Sequence, residues 1–188
     1  MHLKEIQIVP SRDKERAMRK EFSPMAAGLL AADPFTGLDA RESAPGLALV
    51  VFQDTPSGAQ ILQGRYQDGL DQATAELALR PYRNAFLLKT NICAAQLRLG
   101  QLEAANESCE AALTNKPPSG LVLEPRKLRA AVHVNHGVVH FAQGDYAYAE
   151  GEFRRAKSMY PGLRIAASNL QFMEQSLRKG WVEIEGAL

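Results

Sequence analysis

Two stretches, NICAAQLRLGQLEAANESCEAALTNKP at residues 91–117 and NHGVVHFAQGDYAYAEGEFRRAKSMYP at residues 135–161, echo each other at a constant separation of 44 residues. Asn91 aligns with Asn135, Gly100 with Gly144, Ala105 with Ala149, Ala112 with Ala156 and Pro117 with Pro161. Agreement at five positions, most of them Asn, Gly or Pro, marks duplicated structural units.

Each unit reads as two helices joined by a tight corner. In the later unit, residues 127–143 carry apolar side chains at helical spacing, and Gly144 stands where a left-handed residue closes a helix. Asp145 is placed to cap the next helix, whose apolar face is Tyr146, Ala149, Phe153 and Ala156, and Pro161 with Gly162 ends it. The earlier unit repeats the scheme over residues 84–99 and 102–114, with Gly100 at the corner and Pro117 and Pro118 as the stop. Ala105, Ala112, Ala149 and Ala156 are small enough for paired helices to approach closely.

The pattern resembles the tetratricopeptide repeat (TPR), of the kind seen in bacterial-type TPR-like proteins, whose signature is W-x2-L-G-x2-Y, then A-x3-F, then P. At those places the later unit has His133, His136, Gly137, His140, Ala149, Phe153 and Pro161, and the earlier unit has Lys89, Ile92, Cys93, Gln96, Ala105, Cys109 and Pro117. The small residues, corner glycines and prolines agree, while the large aromatic positions of each first helix depart. The family's period is 34 residues. The longer spacing here implies an insertion, placed at residues 119–129 as an enlarged loop or a helix extension.

Weaker echoes flank the pair. Gly64, Gly69 and Pro81 precede Gly100, Ala105 and Pro117 by 36 residues, so residues 66–79 read as the second helix of a unit whose first helix is cut short by Pro56. Residues 163–179 read as a lone capping helix, with Asn169 lying 34 residues after Asn135. The expected architecture is all-α, an array of antiparallel helix pairs over residues 57–188, preceded by an extension of mixed structure over residues 1–56. In that extension residues 4–9 and 47–53 look strand-like, residues 11–22 suit a charged helix, and residues 33–46 look like linker. Docking on the array, pairing as a β-ribbon and mobility are all open to it; docking is favoured because Ala48, Leu49, Val50, Val51 and Phe52 are too apolar to leave in water.

The resemblance implies a function as well as a fold. First helices of such arrays line a concave groove, and in some members an asparagine ladder there holds the backbone of an extended peptide. Asn91, Asn135 and Asn169 occupy one equivalent place in three successive first helices. An amide offers both a donor and an acceptor, which matches a peptide unit without reading its side chain. The alternative is that each asparagine satisfies a neighbouring backbone group. Thr90, Ala94, Leu97 and Arg98, with Val134, Val138, Phe141 and Ala142, are the other groove-facing candidates. The cationic clamp that some members use for a terminal carboxylate is not matched, since Thr90 and Ala94 stand where a lysine and an asparagine are wanted.

Two further constellations stand out. His133, His136 and His140 share one helical face, which suits either a packed interior or zinc; no H-E-x-x-H arrangement accompanies them, and packing is the preferred reading. Cys93 and Cys109 lie on antiparallel partner helices, where a disulfide or a close thiol pair can form if their heights match. No metal site or cofactor is assigned.

Composition narrows the function classes. With 22 Lys and Arg against 21 Asp and Glu, the net charge of +1 lacks the electrostatic footprint of a nucleic-acid binder. No apolar run is long enough to span a bilayer. Signatures of nucleophilic or phosphate-binding enzymes are missing. The expected function is therefore non-catalytic: a scaffold that binds a protein or peptide segment in its groove, with homo-oligomer formation left open. The alternative is a metal-binding or redox-responsive protein built on the histidines and cysteines. A third possibility is that the extension itself fills the groove. Location stays unassigned: cytoplasmic if Met1 is the native start, periplasmic if a leader has been removed and the cysteines are oxidised.

Overall fold

A computed structural model of the chain describes residues 3–7, 46–80, 84–117 and 124–185. In order these form strands β1 (Leu3–Gln7) and β2 (Ala48–Phe52), then helices α1 (Pro56–Leu62), α2 (Tyr66–Leu79), α3 (Ala85–Arg98), α4 (Leu102–Thr114), α5 (Pro125–Gln143), α6 (Tyr146–Met159) and α7 (Arg164–Glu185). The fold is an all-α array of helix pairs, α1 with α2, α3 with α4 and α5 with α6, closed by α7. The helix expected over residues 11–22, most of the linker at residues 33–46, Pro81 and Pro118 lie outside the described residues.

Each pair turns on one device. Gly64, Gly100 and Gly144 have φ of 79°, 75° and 88°, in the left-handed region that other residues enter only at a cost. The corners are bonded alike. The amides of Gly64, Gly100 and Gly144 donate to the carbonyls of Ile61, Leu97 and Phe141, and the amides of Arg65, Gln101 and Asp145 donate to those of Gln60, Gln96 and His140. This is a Schellman closure repeated three times, and it consumes carbonyls that the end of each first helix would otherwise orphan.

Two details differ from the sequence reading. Pro56 does not interrupt a helix; it opens α1, because proline has no N–H to lose at a first turn, and Thr55 caps that turn by accepting from the Gly58 amide at 3.0 Å. Asp145 provides no side-chain cap, since its backbone is committed to the corner and its carboxylate lies 3.8 Å from His140 Nδ1. The insertion between the repeats is partly a helix extension: α5 begins at Pro125, two residues earlier than expected, and residues 118–123 lie outside the described residues.

The small residues act as the spacing implies. Ala105, Ala112, Ala149 and Ala156 are wholly buried between paired helices. A Cβ on Gly137 would stand 2.6 Å from the buried Phe153 ring, so a larger residue there would have to displace that ring from between α5 and α6. Cys93 of α3 and Cys109 of α4 face each other with Cα atoms 5.3 Å apart and are joined as a disulfide.

β1 and β2 form an antiparallel ribbon, with Leu3 opposite Phe52 and Gln7 opposite Ala48. Every residue from Leu47 to Phe52 is buried and belongs to the main apolar core, alongside Phe86, Leu97, Leu128, Val134, Val138, Phe153, Ile165 and Leu170. β2 contacts α1, α3, α5 and α7, so one strand touches every first helix and the capping helix.

Gly58 sets how closely α1 can lie on that strand. A Cβ there would sit 1.9 Å from the Phe52 carbonyl oxygen, a backbone atom that cannot swing aside. Gly58→Ala is expected to lower the unfolding free energy by about 2–4 kcal/mol. Gly64→Ala, with open space around it and only the left-handed φ to oppose it, should lower it by about 1 kcal/mol. Urea unfolding of the two variants checks this order, and a Gly58→Ala chain as stable as Gly64→Ala contradicts it.

Candidate functional site

One face of each first helix and of the capping helix meets β2. Asn91 lies mid-way along α3, Asn135 mid-way along α5, and Asn169 in the second turn of α7; all three are fully buried polar side chains. Burying an amide without partners is costly, so each must be fully satisfied.

The partner is the backbone of β2. Asn169 Oδ1 accepts from the Ala48 amide at 2.8 Å while its Nδ2 donates to the Ala48 carbonyl at 2.9 Å. Asn135 treats Val50 likewise, at 2.7 and 2.8 Å. Asn91 does the same at Phe52, at 2.8 and 3.0 Å. Three amides thus hold residues 48, 50 and 52, the alternate positions whose peptide groups point to one edge of a strand. Successive asparagines are matched to a two-residue step of about 6.8 Å along the strand.

The C-terminal end of β2 is fastened further. Asn91 Nδ2 also donates to Thr55 Oγ1 at 2.8 Å, and Thr55 Oγ1 donates to the Phe52 carbonyl at 3.0 Å. Only Gln53, Asp54 and Thr55 separate β2 from α1, so the strand is held at this end by the chain as well as by hydrogen bonds.

The other residues expected on these faces divide by role. Ala94, Leu97, Val134 and Val138 are buried in the apolar core with β2, and Phe141 lies partly buried against the same core. Thr90 is buried with its hydroxyl donating to the Phe86 carbonyl of its own helix at 2.7 Å, and Phe86 in turn meets the Phe52 ring at 6.3 Å between centroids. Arg98 turns to α2, donating to Tyr66 Oη at 2.8 Å with its guanidinium 4.7 Å from that ring's centre.

The histidine face of α5 is a separate site. With Glu152 ionised, His133 Nδ1 donates to Glu152 Oε2 at 2.5 Å. His136 Nε2 donates to Asn106 Oδ1 at 2.9 Å, and its Nδ1 lies 3.5 Å from Glu152. The His140 ring stands 4.4 Å from that of His136 and 5.5 Å from that of Tyr148. Among the described residues no group of three or more His, Cys, Asp or Glu is arranged to hold a metal ion. The imidazoles join α5 to α4 and α6, and the sulfur of Cys109 is bonded to Cys93.

Two groups here titrate away from their ordinary values. Burial pushes the Glu152 carboxyl up, but the hydrogen bonds and charges of His133 and His136 outweigh it and bring the group from 4.5 down to about 2. Burial, then repulsion from His136, lowers His140 below its ordinary 6.5 against the pull of Glu152 and Asp145.

Sequence reasoning reached the three asparagines through their shared place in successive first helices. It did not reach Glu152, Asn106 or Thr55, which carry no motif. The strand they surround is legible as a strand-like apolar run in need of cover, but not as the partner of the asparagines.

No family model matches the sequence, and no curated protein matches it. Among solved structures, the NMR structure of the first TPR domain of human RPAP3 superposes with a TM-score of 0.53 at 22% sequence identity, covering 65% of this chain and 87% of that one. The likeness shows the fold: these are helix pairs of the TPR type. Among the described residues no helix is long and apolar enough to cross a membrane.

Because Glu152 is more acidic folded than unfolded, its contribution to stability is complete above pH 4.5 and is lost as pH falls from there toward about 2. Glu152→Gln removes that titration. The urea midpoint of the unaltered chain should therefore fall more steeply over this window than that of the variant, and parallel curves contradict the assignment.

Proposed function

We propose that the chain is a non-catalytic protein-interaction scaffold whose asparagine-lined groove holds an extended, apolar polypeptide segment by its backbone. The observation that carries this reading is the pairing of Asn91, Asn135 and Asn169 with alternate residues of β2, each amide giving and taking one hydrogen bond. Such a grip is indifferent to side chains. Selectivity comes from the surroundings, where Leu47 to Phe52 are all buried, so the groove suits an unbroken apolar run rather than a charged or terminal sequence.

The resident segment belongs to the chain itself. The expectation that the extension fills the groove and the expectation that asparagines bind an extended peptide thus describe one arrangement. A partner protein meets an array whose groove is already filled, and the filled groove becomes part of the surface it meets. A TPR-type fold is compatible with this role, although fold alone assigns no function.

The test separates recognition from simple packing. Val50→Pro removes the amide that Asn135 accepts from and loosens the resident strand. A fluorescent peptide of residues 46–54 is expected to bind the Val50→Pro chain more tightly than the unaltered chain, and adding Asn135→Ala should abolish the gain. Should Val50→Pro fail to fold, the single Asn135→Ala chain serves. It leaves a buried N–H and C=O of Val50 without partners, which is expected to cost about 2–4 kcal/mol of stability. Equal peptide binding with and without Asn135, or a loss well below 1 kcal/mol, contradicts the proposal.

A further inference from the structure

A strand has two edges, and the ladder uses one. The peptide groups of Ala48, Val50 and Phe52 are turned to the asparagines, so those of Leu49 and Val51 are turned to the opposite edge. β1 lies along that edge, antiparallel, with Ile6 opposite Leu49 and Lys4 opposite Val51. In this register those two pairs are the ones that exchange N–H···O=C bonds.

The two strands are held very differently. β2 is buried on both faces, bound at three places by fully buried asparagines, and tied to α1 through Thr55. β1 is five residues long and joins the array by pairing with β2. About forty residues of chain separate the two strands. A short two-stranded ribbon has little stability of its own. Yet the edge must be covered, because Leu49 and Val51 are buried and their amides and carbonyls need partners once water is excluded. The molecule therefore combines a fully buried template strand, bound by three asparagines, with a short cover strand paired along its other edge.

Resting on the reading that the ladder fixes β2, we propose that the outer edge of β2 is a strand-addition site at which an extended segment of a partner protein replaces β1. The pairing already present defines the partner's chemistry. It runs antiparallel to β2, spans about five residues, and has no proline at the two positions facing Leu49 and Val51, since each must donate an N–H. Recognition is through the main chain, so β1 acts as a cis competitor that lowers apparent affinity by the fraction of time it occupies the edge.

The test uses the full chain and, as probe, a fluorescein-labelled peptide of residues 1–9. Ile6→Pro in the chain removes the amide that faces Leu49 and should free the edge without touching the helices. The probe is expected to bind the Ile6→Pro chain about ten-fold or more tighter than the unaltered chain, and a probe carrying proline in place of Ile6 should bind neither. Lys4→Pro, which interrupts the pairing at Val51, repeats the experiment should Ile6→Pro disturb folding. A folded, helical Ile6→Pro chain that ignores the probe overturns the proposal. So does concentration-dependent dimerisation of the unaltered chain that Ile6→Pro abolishes, which would assign the edge to a second copy. If the edge fails while the peptide of residues 46–54 still binds the Val50→Pro chain, the ladder reading stands. Failure of both removes it.

Discussion

Six hydrogen bonds between three side-chain amides and the backbone of one strand organise this protein. The asparagines come from α3, α5 and α7, elements that are remote in sequence, and converge on a five-residue strand that precedes them all. Each bond is modest by itself, because folding exchanges it for bonds to water. The cost of omitting one is larger, since every amide and every peptide group concerned is buried. The ladder therefore specifies position more than it adds stability: a shift of β2 by one residue would face the asparagines with peptide groups turned the other way and exchange its apolar faces.

The rest of the structure can be understood as what that registration requires. Three left-handed glycine corners return the chain so that successive first helices line one side. Wholly buried alanines and Gly137 bring the second helices close behind. Gly58 allows α1 to rest against the Phe52 carbonyl, and Thr55 turns the chain from strand to helix while bonding both Phe52 and Asn91. Two residues from Asn135 along α5, His133 pairs with the partly buried Glu152 and joins α5 to α6.

Much of this was legible in the sequence because repeats betray themselves by spacing. Gly100 and Gly144, Ala105 and Ala149, Asn91 and Asn135 recur because the same corner, the same close approach and the same contact with β2 recur. The bounds of α2 and α4 followed from apolar periodicity and flanking breakers. What could not be read locally was non-local by nature. Nothing near Ala48 indicates that its partner is Asn169, and nothing near His133 indicates Glu152. Asp145 looked like a cap because aspartate commonly is one, but the preceding left-handed Gly144 had already set its backbone to the corner geometry. Pro56 looked like a break for the opposite reason: a proline is equally at home opening a helix, and only the Thr55 cap tells the two apart.

The central claim is that Asn91, Asn135 and Asn169 hold β2 by its backbone, and amide hydrogen exchange followed by NMR reads it residue by residue. The account predicts that the amides of Ala48, Val50 and Phe52 in the unaltered chain exchange as slowly as those in the middle of α3 and α5. In Asn135→Ala, protection should fall first and most at Val50. Rapid exchange at these three amides in the unaltered chain, or protection at Val50 that is indifferent to Asn135, would contradict it.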